Sequence, residues 1–256
     1  TAFPSIDLID PNDIVGSVSV VDSGYFHNAV LSSNGYVSVW GDNSYGQVGA
    51  NTSISKFSSP RLNPFLSGMS NIATGAYHTL ALSSNNFVYA WGSNSKGQLG
   101  DGTIDDKRLP VLLNMSNVIA ISCGLYHSMA LDKAGNVFVW GDNSKGQIGD
   151  GTLFQSTLPK RVTALSNIQR IYAGENFCVA SGNSNDGYNN YYAWGENTYG
   201  QLAISPSVAQ TTPVDFSGNG INQLTTTQLE VGNNHMLIRM NDGSVQAWGR
   251  NTFGQL

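Results

Sequence analysis

The chain has 256 residues, only 11% of them charged, and a formal net charge of −5. Its lysines and arginines form no stripe, which argues against direct binding to a nucleic-acid backbone, since that affinity comes mainly from clustered cations. No apolar run approaches the roughly 18 residues of a membrane-spanning helix, and the 29 glycines favour tight turns between short strands over long helices.

The first predicted unit runs from the phrase GYFH at 24–27 to VWGDNSYGQVG at 39–49. Alternating apolar and small residues between these phrases predict two short strands, and SSNG at 32–35 predicts the hairpin turn that joins them. Four more units follow in the same order. They open with GAYH at 75–78, GLYH at 124–127, GENF at 174–177 and GNNH at 232–235.

Every tryptophan of the chain stands in a Trp-Gly pair, and a Gln preceded by Gly follows seven residues later. These tryptophans are Trp40, Trp91, Trp140, Trp194 and Trp248. Five equal β units, each too small to bury its own face, favour radial stacking with one four-stranded blade per repeat. We therefore predict an all-β fold, a β-propeller that forms a single domain over residues 1–256.

The recurring phrase WGxNxxGQ is interpreted as architecture. The Trp offers a large apolar body to the space between blades, and the Gly allows close approach of backbones or a positive φ. The Asn and Gln amides are expected to bind backbone groups where the chain leaves one blade for the next. Such work is needed once per blade, whereas a catalytic site is needed once per protein. No catalytic residue, metal site or cofactor is predicted, and no recognised catalytic motif occurs.

Four of the five units place a histidine at the same position, and the fourth unit has Phe177 there. The histidines are His27, His78, His127 and His235. Imidazole is a common metal ligand, but a ligand position does not readily accept phenylalanine. Packing or hydrogen bonding between blades is therefore favoured over metal binding or catalysis.

Two sets of residues are candidate partner contacts. The first belongs to the extended hairpin of the fourth unit, GNSNDGYNNYY at 182–192, and comprises Asp186, Tyr188 and Tyr191. The second occupies the variable position before each Gly-Gln pair and comprises Tyr45, Lys96, Lys145, Tyr199 and Phe253. Tyrosine supplies rigid amphipathic contact area at low entropic cost. A ring of aromatic and cationic side chains on one propeller face could meet a partner protein, unless these side chains are buried between blades.

The spacing from each Gln of the phrase to the next Pro predicts how the termini meet. It is 13 residues from Gln47 to Pro60 and 12 in the next three units. Joining the end of the chain to its start gives 12 residues from Gln255 to Pro11. The phase fits a ring of five blades closed between N- and C-terminal strands. A longer propeller cut at a repeat boundary fits it equally well.

The motif WG(D/S/E/R)N(S/T)xGQ, with its GxxH phrase upstream, resembles the regulator-of-chromosome-condensation repeat family over essentially the whole chain. The resemblance implies a β-propeller, usually of seven blades, and a regulatory or binding protein that lacks enzymatic chemistry of its own. It also implies a small GTPase of the Ran or Rab type as partner, with guanine-nucleotide exchange or a host-directed effector role as the activity.

Two other functions remain open: a secreted propeller that inhibits an enzyme or binds a ligand, and a substrate-recognition domain of a larger protein such as a ubiquitin ligase. We expect a monomer in the cytoplasm, which would be the host cytoplasm for a bacterial effector. Secretion is the alternative. The two cysteines, Cys123 and Cys178, fit a reducing compartment and are not expected to form a disulfide.

Overall fold

The computed structural model describes residues 14, 16–183, 189–205, 208–217 and 226–256. These residues form nineteen strands joined by turns and bends, with no helix among them. The described part of the chain accordingly contains no helix with the length and apolar character needed to cross a membrane. The strands assemble into five antiparallel sheets, which confirms the predicted all-β propeller of five blades.

The first three blades each contain four strands. Blade 1 comprises β1 (Val18–Ser23), β2 (His27–Ser32), β3 (Val37–Asp42) and β4 (Lys56–Leu62). Blade 2 comprises β5 (Met69–Thr74), β6 (His78–Ser83), β7 (Val88–Gly92) and β8 (Lys107–Leu112). Blade 3 comprises β9 (Val118–Cys123), β10 (His127–Asp132), β11 (Val137–Gly141) and β12 (Ser156–Arg161).

The last two blades follow the same order along the chain. Blade 4 comprises β13 (Ile168–Ala173), β14 (Phe177–Asn183), β15 (Asn189–Gly195) and β16 (Gln210–Asp215). Blade 5 comprises β17 (Thr226–Val231), β18 (His235–Met240) and β19 (Val245–Gly249), which makes three strands among the described residues. Residues 1–13 lie outside the described part, so the closure between terminal strands stays a prediction.

The first strand of every blade lies nearest the propeller axis. A central cavity of about 310 Å³ is lined by residues from all five blades, among them Asp22, Ile72, Cys123, Ala173 and Val231. These residues belong to β1, β5, β9, β13 and β17 in turn. The meander therefore runs outward from the axis, and the fourth strand of each complete blade lies at its periphery.

Strand pairing gives each blade two distinct ends. In blade 1, His27 pairs with Gly41 at one end of the β2–β3 hairpin and Leu31 pairs with Val37 at the other. The GxxH turns and the loops that follow each Trp-Gly pair therefore share one face of the propeller, which we call the loop face. The turns between second and third strands lie on the opposite face, which we call the hairpin face.

Four apolar clusters hold successive blades together, and each contains the Trp of the later blade. Trp91, Trp140 and Trp194 are fully buried, whereas Trp40 and Trp248 are partly buried. Trp248 still packs against the cluster between blades 4 and 5. Among the described residues no such cluster joins blade 5 to blade 1, so the first and last blades are the least buried.

The position of the phrase WGxNxxGQ corrects one prediction. The phrase was expected where the chain leaves one blade for the next, but it connects the third strand of a blade to the fourth strand of the same blade. It nevertheless reaches the neighbour. The indole Nε1 of Trp91 in blade 2 donates to the main-chain carbonyl of Gln47 in blade 1, at 2.7 Å. Trp140 and Trp194 repeat this bond, to the carbonyls of Gln98 and Gln147.

The Asn and Gln amides of the phrase bind backbone groups inside their own loop. In blade 1, Asn43 Oδ1 accepts from the amide of Val48 at 3.0 Å, and Asn43 Nδ2 donates to the carbonyl of Ile54 at 2.7 Å. Gln47 Oε1 accepts from the amide of Tyr45 at 3.0 Å. Because both amides are buried, they replace water for backbone groups that the sheet does not pair. The loop is thus rigid enough to present its exposed residues in a fixed geometry.

Candidate protein-interaction face

The GxxH turn requires its glycine because the side chain at its last position folds back over it. In blade 2, the Gly75 amide donates to the His78 carbonyl at 2.9 Å, and a Cβ added at Gly75 would lie 2.0 Å from His78 Cε1. The same closure occurs in blade 4, where a Cβ at Gly174 would lie 2.0 Å from Phe177 Cε1. Histidine and phenylalanine therefore occupy the same packed position.

Each of the first three histidines bonds to a side chain of the next blade. The partner is the residue directly after the histidine position of that blade. His27 Nε2 lies 3.0 Å from Thr79 Oγ1, and His78 Nε2 lies 2.9 Å from Ser128 Oγ. The third pair joins His127 Nε2 to the Cys178 thiol at 3.2 Å. These contacts join blades 1 to 2, 2 to 3 and 3 to 4.

The hydrogen bond that Ser128 donates fixes the direction of its bond to His78. Ser128 Oγ donates to the carbonyl of Gln98 at 2.8 Å, so the imidazole of His78 must donate its Nε2 proton to Ser128. His78 Nδ1 is buried and has no hydrogen-bond partner among the described residues. The ring is therefore neutral, with its proton on Nε2.

Burial also keeps the three rings uncharged. It lowers the pKa of His27 to about 4, that of His78 to about 3 and that of His127 to about 4. Nearby Asp42 and Asp142 oppose the shift for His27 and His127 without reversing it. At neutral pH these histidines act as hydrogen-bonding core residues.

The junction between blades 4 and 5 replaces the polar pair by an apolar one. Phe177 takes the histidine position of blade 4, and Met236 takes the position held by Thr79 and Ser128 in blades 2 and 3. Both side chains are fully buried in one cluster. The two changes compensate each other, since neither a lone imidazole nor a lone hydroxyl is left in the core.

The histidines do not converge on a metal site. In the described ranges, no three His, Cys, Asp or Glu side chains are placed to hold an ion. Both cysteines are free, and Cys178 is used in the bond to His127. The geometry of this position is that of packing and hydrogen bonding between blades.

The five side chains at the variable position before each Gly-Gln pair are all exposed on the loop face. They are Tyr45, Lys96, Lys145, Tyr199 and Phe253. Tyr45 is 42% exposed, Tyr199 43% and Phe253 82%. Since none is buried between blades, these residues are accessible to a partner, and partner binding by them stays a prediction.

Sequence reasoning missed the largest aromatic cluster that the described residues form on this face. It consists of Tyr25, Phe26, Tyr45, Tyr77 and Tyr126, contributed by blades 1 to 3. We call it the Tyr77 cluster, because the Tyr77 ring contacts the other four at centroid distances of 5.3–6.5 Å. The signal was visible in the phrases GYFH, GAYH and GLYH, which all place an aromatic residue before the histidine.

The Tyr77 cluster combines exposed aromatic area with negative charge. Phe26 is 61% exposed and Tyr25 46%. Burial, followed by the charge and hydrogen bond of Glu175, raises the pKa of Tyr25. Burial, the neighbouring tyrosines and then Asp142 raise the pKa of Tyr126. Carboxylates from blades 3 and 4 therefore lie close to the edges of this cluster.

A second aromatic group on the loop face has its own cation. The guanidinium of Arg250 lies 5.2 Å from the ring centroid of Tyr199 and 5.2 Å from that of Phe253. Arg250 and Phe253 also line a cleft of about 580 Å³ together with Tyr25 and Glu175. This cleft separates the Arg250 group from the Tyr77 cluster.

The structure corrects the patch predicted in the fourth unit. Asp186 and Tyr188 lie outside the described residues. Tyr191 is only 4% exposed, and its ring packs against Phe216 in the core between blades 4 and 5. A partner cannot reach it in this fold. Phe177 pairs with Gly195 at the loop face, and the strand ends Asn183 and Asn189 pair on the opposite, hairpin face.

Comparison with known proteins gives a family. The profile of the RCC1-like domain matches residues 4–256. The ultraviolet-B receptor UVR8 of Arabidopsis thaliana is 28% identical over 262 residues, which cover 98% of this chain and 58% of UVR8. The Caenorhabditis elegans homologue of the X-linked retinitis pigmentosa GTPase regulator is 26% identical over 252 residues, covering 95% of this chain and 17% of that protein. The human probable E3 ubiquitin-protein ligase HERC4 is 38% identical over 95 residues, covering 36% of this chain and 9% of HERC4.

Solved structures agree with this assignment. Prp20p from Saccharomyces cerevisiae superposes with a TM-score of 0.79 and 25% identity, covering 92% of this chain and 57% of Prp20p. Human WBSCR16 superposes with a TM-score of 0.77 at 24% identity, covering 91% of this chain and 62% of its own, and supports the fold alone. The chain spans less than two thirds of each of these relatives. With its repeats in register and its blades arranged around one axis, the chain belongs to the RCC1-like domain family.

Proposed function

We propose that this protein is an interaction propeller whose loop face binds a small GTPase, and that nucleotide exchange follows from that binding. The observation that carries the proposal is the exposed Tyr77 cluster on the loop face of an RCC1-like propeller. Isolated apolar residues are normal on protein surfaces, but a contiguous aromatic group on rigid loops marks an interaction site. The relative Prp20p supports the choice of partner, because its structure was described together with binding to Gsp1p and histones.

The mechanism needs no acid, base or nucleophile. A propeller that binds the nucleotide-free GTPase more tightly than the nucleotide-bound form shifts the GTPase toward release. Contacts to the switch segments would disfavour the phosphate and Mg²⁺ interactions that order them. Rigid loops suit this task, because the amides of Asn43 and Gln47 already hold the loop that carries Tyr45. The proposed compartment is the cytoplasm, where such GTPases occur.

The test is the release of mant-GDP from Ran, Rab and Rho-type GTPases with and without the protein. We expect release from one of them to be accelerated about tenfold or more, and Phe26→Ala to remove most of this acceleration because Phe26 is the most exposed ring of the cluster. Tyr36→Ala is the matched control, since Tyr36 is 37% exposed and follows the β2–β3 turn on the hairpin face. Deletion of residues 184–188 should leave the rate unchanged.

Two results would go against the proposal. Acceleration that survives Phe26→Ala but disappears on deletion of 184–188 would move the GTPase site away from the Tyr77 cluster. If the protein neither accelerates mant-GDP release nor binds any of these GTPases in a pull-down, a small GTPase is ruled out as its partner.

A second candidate function is substrate recognition within a larger ubiquitin ligase. The 38% identity to HERC4 over 95 residues favours it. Pull-down of a protein that becomes ubiquitinated only when the propeller is intact would support this function in place of exchange.

A further inference from the structure

Comparison of two aromatic groups on the loop face indicates what the Tyr77 cluster binds. Around blades 4 and 5 the chain brings Arg250 within 5.2 Å of both the Tyr199 and Phe253 rings. Tyr199 holds the same repeat position as Tyr45, which contacts Tyr77 at 5.3 Å. The two groups therefore share one repeat position, and only the group of blades 4 and 5 has an arginine over its rings.

The residue equivalent to Arg250 is acidic or neutral in the other four blades. It is the residue directly after the Trp-Gly pair, and it is Asp42 in blade 1, Ser93 in blade 2, Asp142 in blade 3 and Glu196 in blade 4. Beside the Tyr77 cluster the chain thus places carboxylates where blade 5 places a guanidinium. An aromatic group with negative charge at its edge attracts a cation more strongly than the rings alone do.

The nearby basic side chains of the protein do not supply that cation. The guanidinium of Arg108 donates to the carbonyls of Thr52 and Ser44, at 2.9 and 3.3 Å. Lys96 is exposed on the loop face. Within the described ranges no lysine or arginine head group lies over a ring of the Tyr77 cluster, and Lys96 forms no ion pair.

We propose that the Tyr77 cluster is the docking site for an exposed arginine of a partner protein, held by cation–π contact with the tyrosine rings and by attraction to the carboxylates of Asp42, Asp142 and Glu175. The proposal rests on the proposed function, since it names the chemistry that a partner brings to the loop face. Arginine suits the site better than lysine because its planar guanidinium stacks on aromatic rings. The rings of Tyr77 and Tyr126, with an interplanar angle of 18°, offer nearly parallel faces.

The test uses a fluorescein-labelled peptide of four Gly-Arg repeats, with Gly-Lys and Gly-Gln peptides of the same length, and measures anisotropy at constant ionic strength. Tyr77→Leu and Tyr45→Leu remove ring faces without changing the net charge, so general attraction of the cationic peptide to an acidic protein is unaltered. We expect each variant to weaken binding of the arginine peptide about fivefold, the range of one partly desolvated cation–π contact. Tyr36→Leu on the hairpin face is the matched control and should bind like the wild type.

Folding of the variants is checked by circular dichroism and thermal melting. Tyr45→Leu is the safer of the two, because the same position holds Lys96 and Lys145 in the next blades. Equal binding of the arginine peptide by wild type, Tyr45→Leu and Tyr77→Leu would overturn the proposal. So would tighter binding of the Gly-Gln peptide than of the Gly-Arg peptide.

The peptide measurement is independent of the exchange assay. Arginine binding that depends on Tyr77, without any GTPase interaction, would support the site while removing the GTPase as partner. If the protein binds a GTPase but the tyrosine variants bind the arginine peptide as the wild type does, the GTPase is supported as partner and the arginine site is removed.

Discussion

His78 illustrates how a histidine that recurs in the repeat can have a structural role without taking part in catalysis or metal binding. Its Nε2 proton bonds Ser128 of the next blade, and burial keeps the ring neutral by lowering its pKa to about 3. His27 and His127 are held in the same way. A charged imidazole would put a desolvated cation between two blades, so protonation and folding oppose each other.

This opposition predicts a pH dependence of stability. The three histidines have lower pKa values in the folded than in the unfolded chain, where the ordinary value is 6.5. The unfolded chain therefore binds more protons as the pH falls. The unfolding free energy should be independent of these groups above about pH 7 and fall toward pH 4, by at most about 1.4 kcal/mol per pH unit for each histidine. Urea unfolding at pH 7, 6 and 5 measures the slope.

The chain itself offers the control for this prediction. The pair Phe177 and Met236 shows which residues can replace a histidine and its partner. His127→Phe combined with Cys178→Met should fold and should reduce the slope by about one histidine's share. His127→Phe alone leaves the Cys178 thiol without its imidazole and should be less stable at pH 7. A slope unchanged in the double variant would show that carboxylates, and not His127, cause the pH dependence.

The sequence predicted the role of these histidines better than their contacts. Phe177 at the fourth position argued against a ligand role and favoured packing or hydrogen bonding between blades. The partners were not predictable from one repeat, because Thr79, Ser128, Cys178 and Met236 share no obvious chemistry until the structure places each beside the preceding blade. The Tyr77 cluster was missed for a related reason: its members come from three blades, and only the fold brings them together.

At the scale of the blade, the tryptophans connect one sheet to the next. Trp140 is fully buried, and its indole donates to the Gln98 carbonyl of the preceding blade at 2.9 Å. Trp40 stands at the same repeat position in blade 1 but is only partly buried. Equal residues at equal positions are therefore expected to contribute unequally to stability.

Substitution of these two tryptophans measures the difference. Trp140→Phe removes the indole hydrogen bond and leaves a cavity between blades 2 and 3, so we expect a loss of about 2 kcal/mol of unfolding free energy. Trp40→Phe should cost less than half of that, because the side chain is already in contact with solvent. Both values come from urea unfolding at pH 7. Equal losses would mean that blade 1 is packed as tightly as blade 3.

Hydrophobic alternation and turn residues were sufficient to predict the strands, but one strand boundary was misjudged. The extended hairpin of blade 4, at 182–192, was predicted to present Tyr191 to a partner. In the structure, β14 and β15 remain paired as far as Asn183 and Asn189, so Tyr191 lies within a strand and is buried. The insertion lengthens both strands to seven residues, which no alternation pattern distinguishes from a loop insertion.

At the scale of the whole molecule, the five GxxH turns form a relay of backbone hydrogen bonds around the axis. The amide of Tyr25 donates to the carbonyl of Ala76, that of Ala76 to Leu125, that of Leu125 to Glu175 and that of Glu175 to Asn233. In the described ranges the relay does not continue from Asn233 back to Tyr25. Among the described residues, the junction between the first and last blades therefore lacks the backbone bond that joins each of the other four pairs.

The spacing of Pro11 predicts that residues 1–13 complete blade 5 beside β19. Their deletion should then expose the outer edge of β19 and lower the melting temperature by about 10 °C, which corresponds to a few kcal/mol in a domain of this size. Differential scanning fluorimetry measures the change, and deletion of residues 1–5 is the matched control. An unaltered melting temperature would favour the other interpretation of the same spacing, in which further blades follow in a longer ring.

The apolar pair of Phe177 and Met236 has a consequence for how such a propeller can grow. Junctions that pair histidine with threonine, serine or cysteine are interchangeable, so duplication of blade 2 would place a histidine against a hydroxyl on both sides of the copy. Blade 4 lacks this freedom, because Phe177 would meet an amide, a hydroxyl or a thiol in place of Met236 at any junction but its own. A propeller with these junctions can gain or lose blades before the fourth. Blades 4 and 5 must stay adjacent, because Phe177 and Met236 complement each other.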